Sequence, residues 1–245
     1  MQRVIPKWLW TMSLFAFGLV LLSSTKLLEP IGIEVPTIRL ASSAASVAIL
    51  VLSAFFANSG YWSPWRILWR AIPAFKKWLF PDLNGIWVGE ARSNWAAIER
   101  VRTAASQKKA INLEELFELE LHPSPIVLQI KCTIFGIRIV SYQSNTESKS
   151  SAMSTGIERE EKSDSYLLTY TYRQQNSVRS VTDSEEHIGA AVLEFEYADL
   201  AQARGNYWTK RCWEDGRNTA GQIKLRKVTS ISEVSSDELA EHLTR

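Results

Sequence analysis

Two uninterrupted apolar runs, Trp8 to Ser24 and Leu40 to Ala57, lie near the start of the chain, and from Pro81 onward apolar and polar residues alternate. Neither run contains a charged residue over its 17 or 18 positions, which is close to the shortest helix that crosses a bilayer. A backbone in hydrocarbon must satisfy its own hydrogen bonds, so each run predicts a transmembrane helix. Arg3 and Lys7 would also suit the leader of a signal peptide, but Ser23-Ser24-Thr25-Lys26 is a poor cleavage site. Helices packed on the surface of a soluble protein would each show a polar face, and neither run has one.

Period-two alternation predicts eight strands: Gly85–Arg92, Ile126–Thr133, Gly136–Gln143, Ser148–Ile157, Tyr166–Arg173, Ile188–Phe195, Asn206–Arg211 and Gly221–Lys227. Short strands joined by turns such as Asn145-Thr146 read as an antiparallel meander, and eight strands suffice to close a small barrel. Closure also removes the edges that invite aggregation. The expected fold class is therefore a membrane α-hairpin of two transmembrane helices plus an all-β, antiparallel eight-stranded β-barrel. Trp95 to Glu120 breaks the alternation and reads as a helical or mobile insertion between the first two strands. Trp87 is expected to plug one end of the barrel.

Between the two regions, Trp62, Trp65, Trp69 and Trp78 are interleaved with Arg66, Arg70, Lys76 and Lys77. Rings beside basic side chains mark a membrane-interface anchor, although a helix packed on the soluble domain would use the same spacing. The expected organisation is a hairpin over 1–58, an interfacial linker over 59–80, a ligand-sensing barrel over 81–229 and a polar tail over 230–245.

Charge sets the orientation. Residues 1–80 carry eight Lys/Arg against two Asp/Glu, and the remainder carries 20 against 24. Basic residues flank the outer ends of both runs, which predicts a two-pass protein of the cell inner membrane with both termini cytoplasmic. A mildly acidic soluble domain is a poor partner for duplex nucleic acid, whose binding needs many phosphate contacts. Cys132 and Cys212 are too few for a disulfide framework or a zinc site and read as packed thiols. Small pairs at i, i+4 in the second run, such as Ala41 and Ala45, allow close helix contact, either within one hairpin or between chains.

No catalytic constellation is present. His122, His187 and His242 are the three histidines, and none falls in a metal-ligand or nucleophile pattern. No cofactor is expected, and the chain reads as non-enzymatic. A ligand site has better support. Alternate residues of 205–211 put Tyr207, Thr209 and Arg211 on one face, combining a ring, a hydroxyl and a guanidinium. Rings stack on bases, and Arg makes bidentate bonds to phosphate. Tyr170 and Tyr172 align on the fifth strand, and Lys131 and Lys224 are further cations on strands. Ordinary barrel core would explain the aromatic rows equally well, and Arg211 could instead pair with Glu194.

The chain resembles a known family at Pro81-Asp82-Leu83-Asn84-Gly85-Ile86-Trp87, at His187-Ile188-Gly189-Ala190-Ala191, at Gly205-Asn206-Tyr207-Trp208-Thr209-Lys210-Arg211 and at Gly221-Gln222-Ile223-Lys224-Leu225. This is the SMODS-associated two-transmembrane, β-strand-rich effector family of CBASS antiphage systems. The resemblance implies a barrel that binds a cyclic dinucleotide from a cognate CD-NTase. It further implies that binding promotes homo-oligomerisation and that the helices, among membrane lipids, then disrupt the inner membrane. Tyr207, Thr209, Arg211, Tyr170, Tyr172 and Lys131 are the expected ligand contacts. A membrane-tethered carrier of an apolar ligand, or a non-catalytic anchor for another protein, are the alternatives.

Overall fold

Eight antiparallel strands close into a barrel in the computed structural model, which describes residues 43–45, 47, 48, 51, 64–72, 74, 80–133, 136–143, 148–160, 162–176 and 185–228. The strands are β1 (Gly85–Ser93), β2 (His122–Thr133), β3 (Gly136–Gln143), β4 (Ser148–Glu160), β5 (Ser165–Asn176), β6 (Glu186–Glu196), β7 (Gln202–Lys210) and β8 (Ala220–Val228). Each neighbours the next in sequence, and β1 pairs with β8 to complete the closure. The described residues fall into two compact units, one of residues 83–132 and 137 onward, the other of residues up to 82 with 133 and 136.

The expected first span, the loop after it and the tail from 230 lie outside the described residues, as does most of the second span. Six described residues between 43 and 51 are helical. No helix among the described residues is long and apolar enough to cross a membrane.

Alternation fixes which side chains enter the barrel. On β5, Tyr166, Leu168, Tyr170, Tyr172 and Gln174 are buried while Thr169, Thr171 and Arg173 point outward. Aromatic and β-branched residues suit such a half-buried pleated surface. On β4 a bulge at Met153 shifts the inward set from Ser148, Ser150 and Ala152 to Thr155, Ile157 and Arg159. One extra residue reverses the side-chain parity beyond it. Between β6 and β7 the backbones come so close that a side chain at Gly205 would strike the Val192 carbonyl, so only glycine fits there.

The structure extends several strands beyond the expected limits. β2 begins at His122 rather than Ile126, and β7 at Gln202 rather than Asn206. Pro123 and Pro125 disguise the start of β2, because proline cannot donate to the ladder. Both pair with β1 all the same, opposite Arg92 and Glu90. The 95–120 insertion is helical, with α2 (Trp95–Ser106) and α3 (Leu113–Phe117). The Asn112 side chain caps α3 by accepting from the Glu114 N–H at 3.0 Å.

One end of the barrel is sealed. The Trp87 ring is fully buried, meets Phe195 edge-on at 5.2 Å and donates its indole N–H to the Leu83 carbonyl at 3.1 Å. The Lys227 ammonium lies 5.6 Å from the same ring. Leu128, Ile130, Leu168 and Leu193 complete the fill. Just before β1, Asn84 bonds both backbone groups of Cys132, accepting from its N–H at 2.7 Å and donating to its carbonyl at 2.9 Å. Cys132 is packed as expected, but Cys212 is half-buried in the turn after β7.

In the smaller unit, α1 (Pro64–Ala71) carries part of the expected interfacial segment. Its Trp65 and Trp69 are buried, meet at 5.7 Å and contact Phe80. The Trp69 indole donates to the Phe80 carbonyl at 2.8 Å, and Arg66 pairs with Asp82 at 2.7 Å. These two rings and this guanidinium are thus engaged locally, not presented as exposed interface anchors.

Candidate ligand-binding site

The end of the barrel opposite Trp87 is polar. It gathers the last inward residues of β1, β3, β5 and β7 with the first of β2, β4, β6 and β8. Among these are Ser93, Gln143, Ser148, Gln174, His187 and Tyr207. The inward positions of the described strands include Arg159 and Lys227 near the sealed end but no Asp or Glu. Arg211, directly after β7, adds a third cation on the inward parity at the polar end.

Register explains why the expected residues meet. Tyr172 pairs with Gly189, and Gly189 pairs with Thr209 on the next strand. Tyr170 pairs with Ala191, and Ala191 with Tyr207. Small residues on β6 thus leave room for large rings from both neighbours. At Gly189 an added Cβ would stand 2.5 Å from the Tyr172 ring carbon that bears its hydroxyl and 2.5 Å from that oxygen. Tyr170 and Tyr172 themselves lie 5.9 Å apart with tilted rings.

Burial raises the pKa of Tyr170, Tyr172 and Tyr207 above the ordinary tyrosine value. Against this, the Arg211 charge favours the ionised form of Tyr172 and Tyr207, as does the Ser93 hydroxyl bonded to Tyr207. Burial wins, because removing a phenolate from water costs more than a partly solvated guanidinium returns. The three rings therefore present neutral hydroxyls at physiological pH.

Arg211 is the centre of the polar end. Its guanidinium carbon lies 5.7 Å from the centroid of Trp95, the first residue of α2. Its backbone N–H donates to the Asn218 side chain at 3.0 Å. The alternative pairing with Glu194 does not occur, since Glu194 is on the outward parity and accepts from Arg204 at 3.4 Å. Two bonds hold α2 and the residue before it near this place. Arg102 donates to the Asp215 carbonyl at 2.7 Å, and the Asn94 side chain accepts from the Ala220 N–H at 3.0 Å.

The structure redistributes the expected contacts. Tyr170, Tyr172, Tyr207 and Arg211 converge. Thr209 shares their face, but its hydroxyl is held by Thr219, with 2.9 Å between the two oxygens and 3.1 Å to the Thr219 N–H. It closes the β7–β8 turn. Lys131 is exposed on the outward parity of β2, and Lys224 is exposed on β8, so neither joins the group.

Gln174, Asn176 and Ser141, which the sequence does not single out, join the small polar row of Ser148 and Ser150 on β4. Gln174 donates to the Ser148 hydroxyl at 3.0 Å and to the Asn176 side chain at 3.2 Å. Ser141 and Ser150 share a hydrogen bond between their hydroxyls. These amides and hydroxyls continue the inward rows of β3, β4 and β5 past their apolar parts. Trp95 was missed as well, because it belongs to the helical insertion. Together with the aromatic and cationic group, these amides and hydroxyls suit a ligand with rings, anionic groups and hydrogen-bonding edges.

Residues 120–227 match the family described as Cap15, cyclic dinucleotide receptor domain. They span β2 to β8, leaving β1, α2 and α3 outside the match. A relative from Escherichia albertii, CD-NTase-associated protein 15, is 29% identical over 164 residues, which cover 66% of this chain and 71% of the relative. The two similarities bear out the resemblance to the CBASS effector family.

Proposed function

We propose, from the premise of a Cap15-type receptor domain, that the polar end of this barrel binds a cyclic dinucleotide and that the chain acts as a CBASS antiphage effector. The observation that carries the reading is the interior itself. Arg211 stands with three neutral tyrosines, and no carboxylate shares the inward positions of the described strands. A dianionic ligand finds attraction there without a competing acid, even though the surrounding region is net acidic.

In this reading Arg211 bonds phosphate, Tyr207 and Tyr172 flank the rings, and the Gln174–Ser148 row meets base edges. Ligand binding promotes self-association, because assembled barrels hold the nucleotide more tightly than single ones. The apolar runs Trp8–Ser24 and Leu40–Ala57 are the output, disrupting the inner membrane in which they sit with both termini cytoplasmic. A cognate CD-NTase supplies the ligand. An apolar-ligand carrier would have no use for a guanidinium at this place.

The test is co-expression with an active CD-NTase while following membrane potential. Depolarisation that requires both the cyclase and Arg211 is expected. An intact potential under demonstrated nucleotide production rejects the effector mechanism.

A further inference from the structure

The turn that joins β7 to β8 carries a second arginine to the polar end. The ladder between these strands reaches the Trp208–Ala220 pair, and the Thr209 N–H donates to the Thr219 carbonyl at 2.9 Å, so the register runs on by one more pair. Two residues further along each arm stand Arg211 and Arg217. The Arg217 N–H donates to the Cys212 carbonyl at 3.3 Å, closing the turn at their level. Between them Trp213–Asp215 form a single turn of 3₁₀ helix, and Gly216, at φ +66°, reverses the chain in a conformation open to glycine. Burial alternates along the returning arm as it does on β8. Arg217 is half-buried, Asn218 exposed, Thr219 buried and Ala220 exposed. Arg217 therefore continues the inward parity, and its side chain keeps only 15% of its surface in water.

Like charges facing each other across a two-stranded ladder destabilise it, and opposite residues hold their Cβ atoms only about 5 Å apart. Burial strengthens the repulsion, because less water screens it. The turn supplies one carboxylate against it. Asp215 lies 3.5 Å from the Arg217 guanidinium with 58% of its side chain exposed. An ion pair so open to water offsets little. The neighbouring contacts fix positions without supplying negative charge. Trp95 packs 5.7 Å from the Arg211 guanidinium, and Arg102, a further cation, donates to the Asp215 carbonyl at 2.7 Å. The other inward cations belong to the sealed end, where Lys227 lies against Trp87 and Arg159 pairs with Asp164. At the polar end the doubled positive charge is thus a property of this turn.

We infer that Arg217 is a second phosphate-binding residue, with Arg211 and Arg217 each taking one phosphate of a cyclic dinucleotide and Asp215 holding Arg217 until the ligand displaces it. The inference deepens the function proposed above and rests on it. A dianionic ring brings two negative charges to two guanidiniums, and each guanidinium can make paired bonds to phosphate oxygens. The repulsion built into the empty turn is relieved when the phosphates arrive. Asp215 opposes binding, since its carboxylate competes for Arg217 and repels the approaching anion.

The test is calorimetric titration of a panel of cyclic dinucleotides into the full chain in nanodiscs, comparing the unaltered chain with Arg217→Gln, Asp215→Asn and Arg211→Gln. Urea midpoints without nucleotide are measured on the same samples. Arg217→Gln should weaken the best-bound dinucleotide by at least about tenfold, as for a charged hydrogen bond to phosphate. It should not lower the ligand-free midpoint, because it removes the repulsion. Asp215→Asn should strengthen binding by about two- to fivefold, the scale of an exposed ion pair. A merely structural ion pair would answer both variants with the same sign, since either one loosens the turn. Three results overturn the inference and leave the ligand reading standing: weaker binding in both Arg217→Gln and Asp215→Asn, a ligand-free midpoint lowered by Arg217→Gln, or affinity unchanged by Arg217→Gln for a dinucleotide that Arg211→Gln weakens. Absence of binding across the panel overturns both.

Discussion

Gly189→Ala perturbs the ligand site through one methyl group. The new Cβ would stand 2.5 Å from two atoms of Tyr172 and 2.7 Å from the Trp208 carbonyl. Ordinary carbon contacts lie at about 3.5–4.0 Å, so the Tyr172 ring must retreat by roughly 1 Å. The carbonyl is tied into the β6–β7 ladder through the Ala190–Trp208 pair and yields less. Overpacking of this kind costs about 1–3 kcal/mol. Because the ring moves into the interior, cyclic dinucleotide affinity should also fall, by about tenfold for each 1.4 kcal/mol that its displacement adds to binding. The assay is urea unfolding of the full chain in lipid nanodiscs, followed by circular dichroism, for Gly189→Ala, Tyr172→Leu and the double variant. Removing the ring relieves two of the three close contacts, so a coupling of about 1 kcal/mol or more is expected between the sites. Strictly additive losses, or a Gly189→Ala chain with unchanged stability and affinity, would refute the packing argument.

Other expectations follow from particular contacts. Thr209→Val removes the hydroxyl bonded to Thr219 and should cost about 1–3 kcal/mol of stability, seen as a lower urea midpoint, while the affinity of the folded fraction stays within about twofold. Lys131→Ala should leave cyclic dinucleotide affinity unchanged in calorimetric titration, since the side chain is exposed on the outer wall. Stability should fall as pH rises above 10. Burial pushes Tyr166 up to about 12 and raises Tyr170, Tyr172 and Tyr207. The unfolded phenols then lose protons first, at a cost of up to ~1.4 kcal/mol per pH unit for each group. Tyr166→Phe should flatten the urea midpoint's decline between pH 10 and about 12, the window set by that residue's raised value.

The barrel was legible because its meander is written in short alternating rows, as on β5 from Tyr166 to Tyr172. The strands ran on where the inward residues turned polar. Gln174 and Asn176 continue the β5 row, yet they look like a turn in a pattern read from apolar residues. Two prolines hid the first third of β2 for a related reason, since outward prolines at a strand start lose donors without breaking the register. Tyr207, Tyr172 and Arg211 could be grouped from parity alone, whereas Thr209 could not be excluded. Its engagement by Thr219 depends on a turn geometry that no spacing reveals. Trp95 reaches Arg211 only through the placement of α2, a long-range fact. In α1, the helical spacing of Trp65 and Trp69 was right, and the contact of that face with Phe80 is one that spacing does not reveal.

The central claim is that this barrel reads a cyclic dinucleotide at its polar end, and calorimetric titration of a nucleotide panel into the full chain in nanodiscs tests it most directly. At least one member should bind with one site per barrel. Arg211→Ala should weaken that binding by about 10- to 100-fold, the range for a charged hydrogen bond to phosphate. Absence of binding across the panel, or binding that Arg211→Ala leaves untouched, would contradict the account.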